Sequence, residues 1–213
     1  MLYDKDIREP LFSFLEEKLG KVRFLEEKQM GRSRADVIMI TEDRICGIEI
    51  KSDADTYARL ERQIRDYSIF FDANYVVVGT SHASHIEEHV PKEWGIITVE
   101  ETEEQGAVDF YVLREAKPNP ELDPARKITI LWRPELAHIQ ELNGLPAYKE
   151  RSKACVQKLI MDRVPAEIWQ RQMCEELLQR DYTTIHDTIN AFRSENGQKK
   201  RRRVRRRKRR SLL

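Results

Sequence analysis

Asp36, Glu49 and Lys51 are the residues whose types and spacing could do chemistry. Asp36 opens a run rich in Val and Ile that ends at Ile40, and a second such run, Ile45 to Lys51, closes on Glu49-Ile50-Lys51. The intervening Thr41-Glu42-Asp43-Arg44 is a polar turn, so the two runs form a β-hairpin. With those four residues as the loop, Ile40 faces Ile45 and Asp36 faces Glu49, their Cβ atoms roughly 4.5–5.5 Å apart. Side chains alternate between faces, which puts Lys51 on the face of Glu49 and Asp36. The other face carries Val37, Met39, Cys46, Ile48 and Ile50 and belongs to a core. Opposed carboxylates repel. A hard divalent cation relieves that repulsion, and Mg²⁺ usually binds through one or two carboxylates, keeping its other positions for water and phosphate oxygens. A lysine beside it is a compact cation that faces phosphate or holds the attacking water. These are the parts for metal-assisted phosphodiester hydrolysis. The competing reading is a surface hairpin with a plain salt bridge from Lys51 to either acid.

Asp36 followed by Glu49-Ile50-Lys51 resembles the Asp…Glu-x-Lys signature of the PD-(D/E)XK nuclease superfamily. Gln63-Ile64-Arg65-Asp66-Tyr67 resembles the Gln-x-x-x-Tyr element of its RecB-like members. The stretch from Glu49 to Val78 is similar to small bacterial and phage proteins of that superfamily whose role is poorly defined. Ala35 stands where the signature has proline. The resemblance implies an α/β fold of the restriction-endonuclease type, a mixed sheet flanked by helices. It implies a Mg²⁺-dependent deoxyribonuclease, with Mn²⁺ able to substitute, leaving 5′-phosphate and 3′-hydroxyl ends. Asp36, Glu49 and Lys51 would be catalytic. Asp36 and Glu49 would hold the metal, with Glu9 as a third ligand. Gln63 and Tyr67 would brace Lys51 or the substrate, and Arg32, Arg34 and Arg59 would contact phosphate. The setting implied is DNA repair, recombination, or phage and defence DNA processing. The rival from another class is a nuclease fold that docks DNA or a partner without cutting it.

The elements that must position these residues follow from periodicity. Asp4 to Leu19 is a helix with Leu11, Phe14, Leu15 and Leu19 on its buried face, Pro10 near its start and Gly20 as its stop. Val22 to Glu26 is a short strand, and Gln29 to Arg34 a loop entering the hairpin. Asp53, Asp55 or Thr56 caps a second helix, whose stripe Tyr57, Leu60, Ile64, Tyr67, Phe71 packs on the sheet. Asn74 to Gly79 is an apolar run buried on both faces, reached by a crossover, hence parallel. Thr80 or Ser81 starts a helix through Glu88, on which His82, His85 and His89 have spacing that can hold zinc, though no further ligand stands near. Gly95 to Glu100 and Ala107 to Leu113 are strands. These elements assign 1–115 to a nuclease-like domain and 116–127, with three prolines, to a linker. Residues 128–195 are a helical region, either a SAP-like DNA-binding module or a cap on the sheet, with a last short helix from Tyr182 to Phe192.

Composition frames the rest. Residues 196–213 form a polybasic tail containing Lys199, Lys200, Arg201, Arg202, Arg203, Arg205, Arg206, Arg207, Lys208, Arg209 and Arg210. Removing those 11 from the 38 Lys and Arg leaves 27 against 37 Asp and Glu, a body charge of −10 under a net charge of +1. Such asymmetry points to a polyanionic partner, DNA here, held by a sequence-blind, salt-sensitive tether. Three scattered cysteines suit neither a disulfide framework nor a zinc ribbon. No signal-peptide form and no apolar run of about 18 residues appears, so a cytoplasmic protein without a membrane partner is expected, in or on the nucleoid or in an infected bacterial cell. Nothing in the sequence asks for a nucleotide cofactor.

Overall fold

The computed structural model describes residues 2–103 and 106–181. Met1–Gln179 forms one compact unit. Its centre is a six-stranded mixed sheet in the order β1 (Arg23–Met30), β2 (Ser33–Ile40), β3 (Ile45–Lys51), β4 (Ala73–Gly79), β5 (Gly95–Glu101) and β6 (Val108–Arg114). β1, β2 and β3 are antiparallel, β3, β4 and β5 parallel, and β6 antiparallel to β5. Parallel pairing of β3 with β4 follows from the crossover through α2 (Leu60–Phe70). β3 and β4 are buried almost throughout, as central strands covered on both faces must be.

The hairpin has the expected register, with Ile40 opposite Ile45 and Val37 opposite Ile48. α1 (Asp4–Leu19) covers one face, where Ile7, Leu11 and Leu15 pack with Val37, Met39, Cys46 and Ile48. Pro10 stands inside α1 rather than near its start. The other face is covered by α2 and by the later helices α4 (Pro124–Lys127), α5 (Arg133–Leu142), α6 (Lys153–Arg163) and α7 (Ala166–Gln179). Leu136, Ile139, Val156, Ile160, Trp169 and Met173 from those helices join Ile38, Ile45, Tyr67 and Val76 in a single apolar cluster. Segment 116–127 runs against α2, with Asn119 Nδ2 donating to the carbonyls of Ser68 at 2.6 Å and Phe71 at 2.8 Å. Lys127, 1% exposed, pairs with Asp72 at 2.6 Å.

Several boundaries differ from the sequence expectation. β1 continues to Met30 and β2 begins at Ser33, so the expected loop 29–34 shrinks to Gly31-Arg32, with Gly31 at φ +59°. Charged residues at 26–28 disguise the strand, because an edge strand can expose them. The second helix starts with a 3₁₀ turn, Tyr57–Arg59, and its N-cap Thr56 makes no side-chain cap bond. Asp53 and Asp55 tie the preceding loop instead, Asp55 accepting from Ser52 N and Oγ, and Asp53 from Leu2 N and Ser81 Oγ. The histidine helix breaks into α3 (Thr80–Ala83) and a 3₁₀ turn, Ile86–Glu88, so His82, His85 and His89 do not share one helix face. His82 Nδ1 meets Tyr57 Oη at 2.9 Å and His89 packs on the Tyr57 ring. The last helix expected at 182–192 and the basic tail lie outside the described residues.

Candidate functional site

Asp36, Glu49 and Lys51 meet at a cleft of about 410 Å³. The strand ends of β2 and β3 form its floor, and the start of α1, the β1–β2 turn and the start of α2 form its walls. Glu49 and Lys51 are 1% and 3% exposed. Burial of a charged pair demands partners. Lys51 Nζ donates to Glu49 Oε1 at 2.5 Å and to Gln63 Oε1 at 3.3 Å. Gln63 Nε2 also donates to Glu49 Oε1, and the Tyr67 hydroxyl donates to Glu49 Oε2 at 2.7 Å. Gln63 and Tyr67 sit one turn apart on α2, so one helix face delivers both to the same carboxylate. Of the pair, Gln63 meets Lys51 and lines the cleft, whereas Tyr67 is fully buried, lies outside the cleft lining and braces Glu49 rather than Lys51.

Tyr67 also ties the two acid-bearing strands together, because its oxygen accepts from Asp36 N at 3.2 Å. That N–H is available because the β1–β2 pairing skips Glu27 and Asp36, with Glu27 held at φ +53°. A non-glycine residue there is uncommon, and the Glu27 side chain engages Arg8 at 3.1 Å and Arg34 at 2.7 Å beside the cleft. Asp36 Oδ2 accepts from Ile50 N at 2.9 Å. Burial, then the neighbouring charge of Glu49, push the Asp36 carboxyl up from 3.8 to about 7, against the pull of Lys51 and the Ile50 N–H. Burial and the two acids also raise the Tyr67 hydroxyl well above its ordinary value.

Asp36 and Glu49 bring two carboxylates to one cleft, and oxygen is the donor that a hard divalent cation takes. Both Glu49 oxygens already accept hydrogen bonds, from Lys51, Gln63 and Tyr67. A third acid is a different matter. Among the described residues no group of three His, Cys, Asp or Glu side chains is arranged to hold a metal. Glu9, expected as the third ligand, is exposed and outside the cleft, and Asp4 is the α1 acid that lines it. The reason is helical phase: Asp4 and Arg8 are one turn apart and share a face, which Glu9 leaves by about 100°.

Arg32, Arg34 and Arg59 all line the cleft as expected. Arg34 is paired with Glu27. The guanidinium groups of Arg32 and Arg59 have no partner among the described residues. Arg62 joins this basic rim. The sequence reading missed Arg8, whose Nη1 donates to the Asp36 carbonyl at 3.1 Å. It also missed Ser33, which lines the cleft, is 3% exposed and has an Oγ without a partner among the described residues. The i, i+4 spacing of Asp4 and Arg8 was a visible signal; nothing local marked Ser33.

A family described as Bacteriophage P4 protein cII matches residues 4–206. No curated protein matches the chain. Among solved structures, the chain is similar to Pyrococcus furiosus SfsA in complex with Ca²⁺, at 15% identity and a TM-score of 0.32, a match covering 50% of this chain and 59% of that one. No helix among the described residues is long and apolar enough to cross a membrane.

Proposed function

The chain belongs to the bacteriophage P4 protein cII family, and from the geometry of its cleft we propose that it is a Mg²⁺-dependent deoxyribonuclease on the PD-(D/E)XK plan. One observation carries this reading: Asp36, Glu49 and Lys51 share the floor of one cleft, and Gln63 and Tyr67 hold two of them from a single helix. Asp36 and Glu49 would hold the ion, with Mn²⁺ able to replace it. A bound divalent cation supplies Lewis-acid polarisation of the phosphate and a more acidic water.

The chain's own residues do the positioning. Tyr67 and Gln63 fix the Glu49 carboxylate so that no reorientation is needed when phosphate arrives. The Lys51 ammonium, held by Glu49 and Gln63, is the cation placed to orient a water or offset charge building on a phosphate oxygen. Arg32, Arg59 and Arg62 face the cleft as phosphate contacts that set the strand's position without reading its sequence. The 11 basic residues from Lys199 to Arg210 add a salt-sensitive tether to DNA.

A second reading is favoured by the same network. Glu49 already receives Lys51, Gln63 and Tyr67, a closed set that also suits a fold docking DNA without cutting it. Purified protein incubated with linear, nicked, branched and single-stranded DNA in Mg²⁺, Mn²⁺ or EDTA separates the two. Metal-dependent cutting abolished in both Glu49→Ala and Lys51→Ala supports the nuclease. Equal binding without cutting by all three proteins supports the docking fold.

A further inference from the structure

The β1–β2 turn that carries Arg32 to the cleft is fixed from two sides. Gly31 takes the first central place of a two-residue hairpin turn at φ +59°, a conformation that favours glycine. Gln29 Nε2 donates to the carbonyls of Gly31 at 3.1 Å and Ser33 at 2.9 Å, which sets the shape of the turn. Asp66 on α2 sets its place, because its Oδ2 accepts from Arg32 N at 3.1 Å. The approach is close: a Cβ on Gly31 would stand 2.5 Å from Asp66 Oδ1. Gln63, Asp66 and Tyr67 lie at i, i+3 and i+4 and so share one face of α2. The face that holds the Glu49 carboxylate through Gln63 and Tyr67 therefore also holds the turn.

That arrangement gives Asp66 a task its charge does not suggest. The Arg32 guanidinium has no partner among the described residues and lines the cleft with Arg59 and Arg62. Ordering a long side chain on binding costs conformational freedom, and a backbone already held in place lowers that cost. We propose that Asp66 is a positioning residue for phosphate binding, latching the β1–β2 turn to α2 so that the backbone of Arg32 is fixed relative to Glu49. The proposal rests on the reading of the arginine rim as a phosphate contact and not on the cleavage chemistry. An acid next to Arg32 repels phosphate by its charge. Removing the charge therefore tightens DNA binding, whereas removing the latch weakens it, and the two effects are separable.

The test is the affinity of the full chain for a labelled DNA oligonucleotide in EDTA, across a salt series, with melting temperature as the check on folding. Asp66→Asn and Asp66→Ala change the charge equally, but only asparagine keeps an oxygen that accepts from Arg32 N. Asp66→Asn should bind at least as tightly as the parent. Asp66→Ala should bind about two- to fivefold more weakly than Asp66→Asn, the weight of one exposed charged contact. Its slope of log K against log salt should be shallower by up to about 0.9. In an Arg32→Ala background the difference between the two variants should vanish. Gly31→Ala keeps every charge, crowds the Asp66 carboxylate and should weaken binding by a similar factor; it decides the matter should Asp66→Ala not fold. Equal affinity of Asp66→Ala and Asp66→Asn, a difference that survives in Arg32→Ala, or parent-like binding by Gly31→Ala overturns the proposal. A parent chain that binds no DNA overturns the arginine rim and the latch together. A parent that binds DNA but does not cut it with Mg²⁺ overturns the nuclease reading alone, and the ranking of the variants still decides the latch.

Discussion

Lys51→Met keeps the length and apolar stem of the side chain but removes the ammonium lying 2.5 Å from Glu49 Oε1 and 3.3 Å from Gln63 Oε1. The two charged side chains of the pair are 4% and 1% exposed. Breaking a buried pair by deleting one partner costs about 3–5 kcal/mol, because the remaining charge stays buried uncompensated. Glu49 keeps two donors, Gln63 and Tyr67, which puts the expectation at the lower end, about 3 kcal/mol. In a chain of this size each kcal/mol moves the melting temperature by about 2–4 °C, so Lys51→Met should melt roughly 6–12 °C lower. The assay is thermal and urea unfolding at neutral pH, with an unchanged denaturant slope as the sign that only stability moved. Glu49→Gln/Lys51→Met removes both charges together and should recover most of the loss, since replacing a whole buried pair is often near neutral. A single variant within about 0.5 kcal/mol of the parent would refute the reasoning, since surface substitutions do no more than that. So would a double variant that loses the sum of both singles, since coupled residues do not add.

Asp36 gives a pH prediction. Its carboxyl is raised to about 7, so it binds a proton more tightly folded than unfolded, and its ionised form works against folding. The chain should lose stability as pH climbs from the unfolded carboxylate value of about 4 to about 7, and the loss should level off above that. Asp36→Asn is free of it, so the variant's melting advantage should widen across that window; a gap that stays constant contradicts the assignment. Tyr67→Phe keeps the ring packing and loses a bond to the buried carboxylate, costing about 1.5–3 kcal/mol by urea unfolding; a neutral result would mean that Tyr67 does not hold Glu49. Truncation after Gly197 should flatten the dependence of log K on log salt for DNA binding, and an unchanged slope removes the tether from the account.

The hairpin was legible because its signals are local. β-branched alternation, a four-residue polar turn and a fixed period of two determine both the register and the face that Asp36, Glu49 and Lys51 share. Gln63 and Tyr67 were picked out by the resemblance to the Gln-x-x-x-Tyr element, and a spacing of four places them one helical turn apart. What could not be read locally was which acid on α1 reaches the cleft. Glu9 and Asp4 are both first-half acids, and the helix phase that selects Asp4 is set by packing of Ile7, Leu11 and Leu15 on the sheet. Ser33 was invisible for a related reason, since a missing partner is a property of the packed interior. The length of β1 was hidden because Glu26, Glu27 and Lys28 are polar, and edge position is a fact of topology.

The central claim is that Asp36 and Glu49 grip one divalent cation. Crystals grown with Mn²⁺ and measured at its absorption edge test it without reference to any substrate. The account predicts an anomalous peak bonded to carboxylate oxygens of both residues in the parent protein, and its loss in Glu49→Ala. An empty cleft at saturating Mn²⁺, or a peak bound to other side chains, would contradict it.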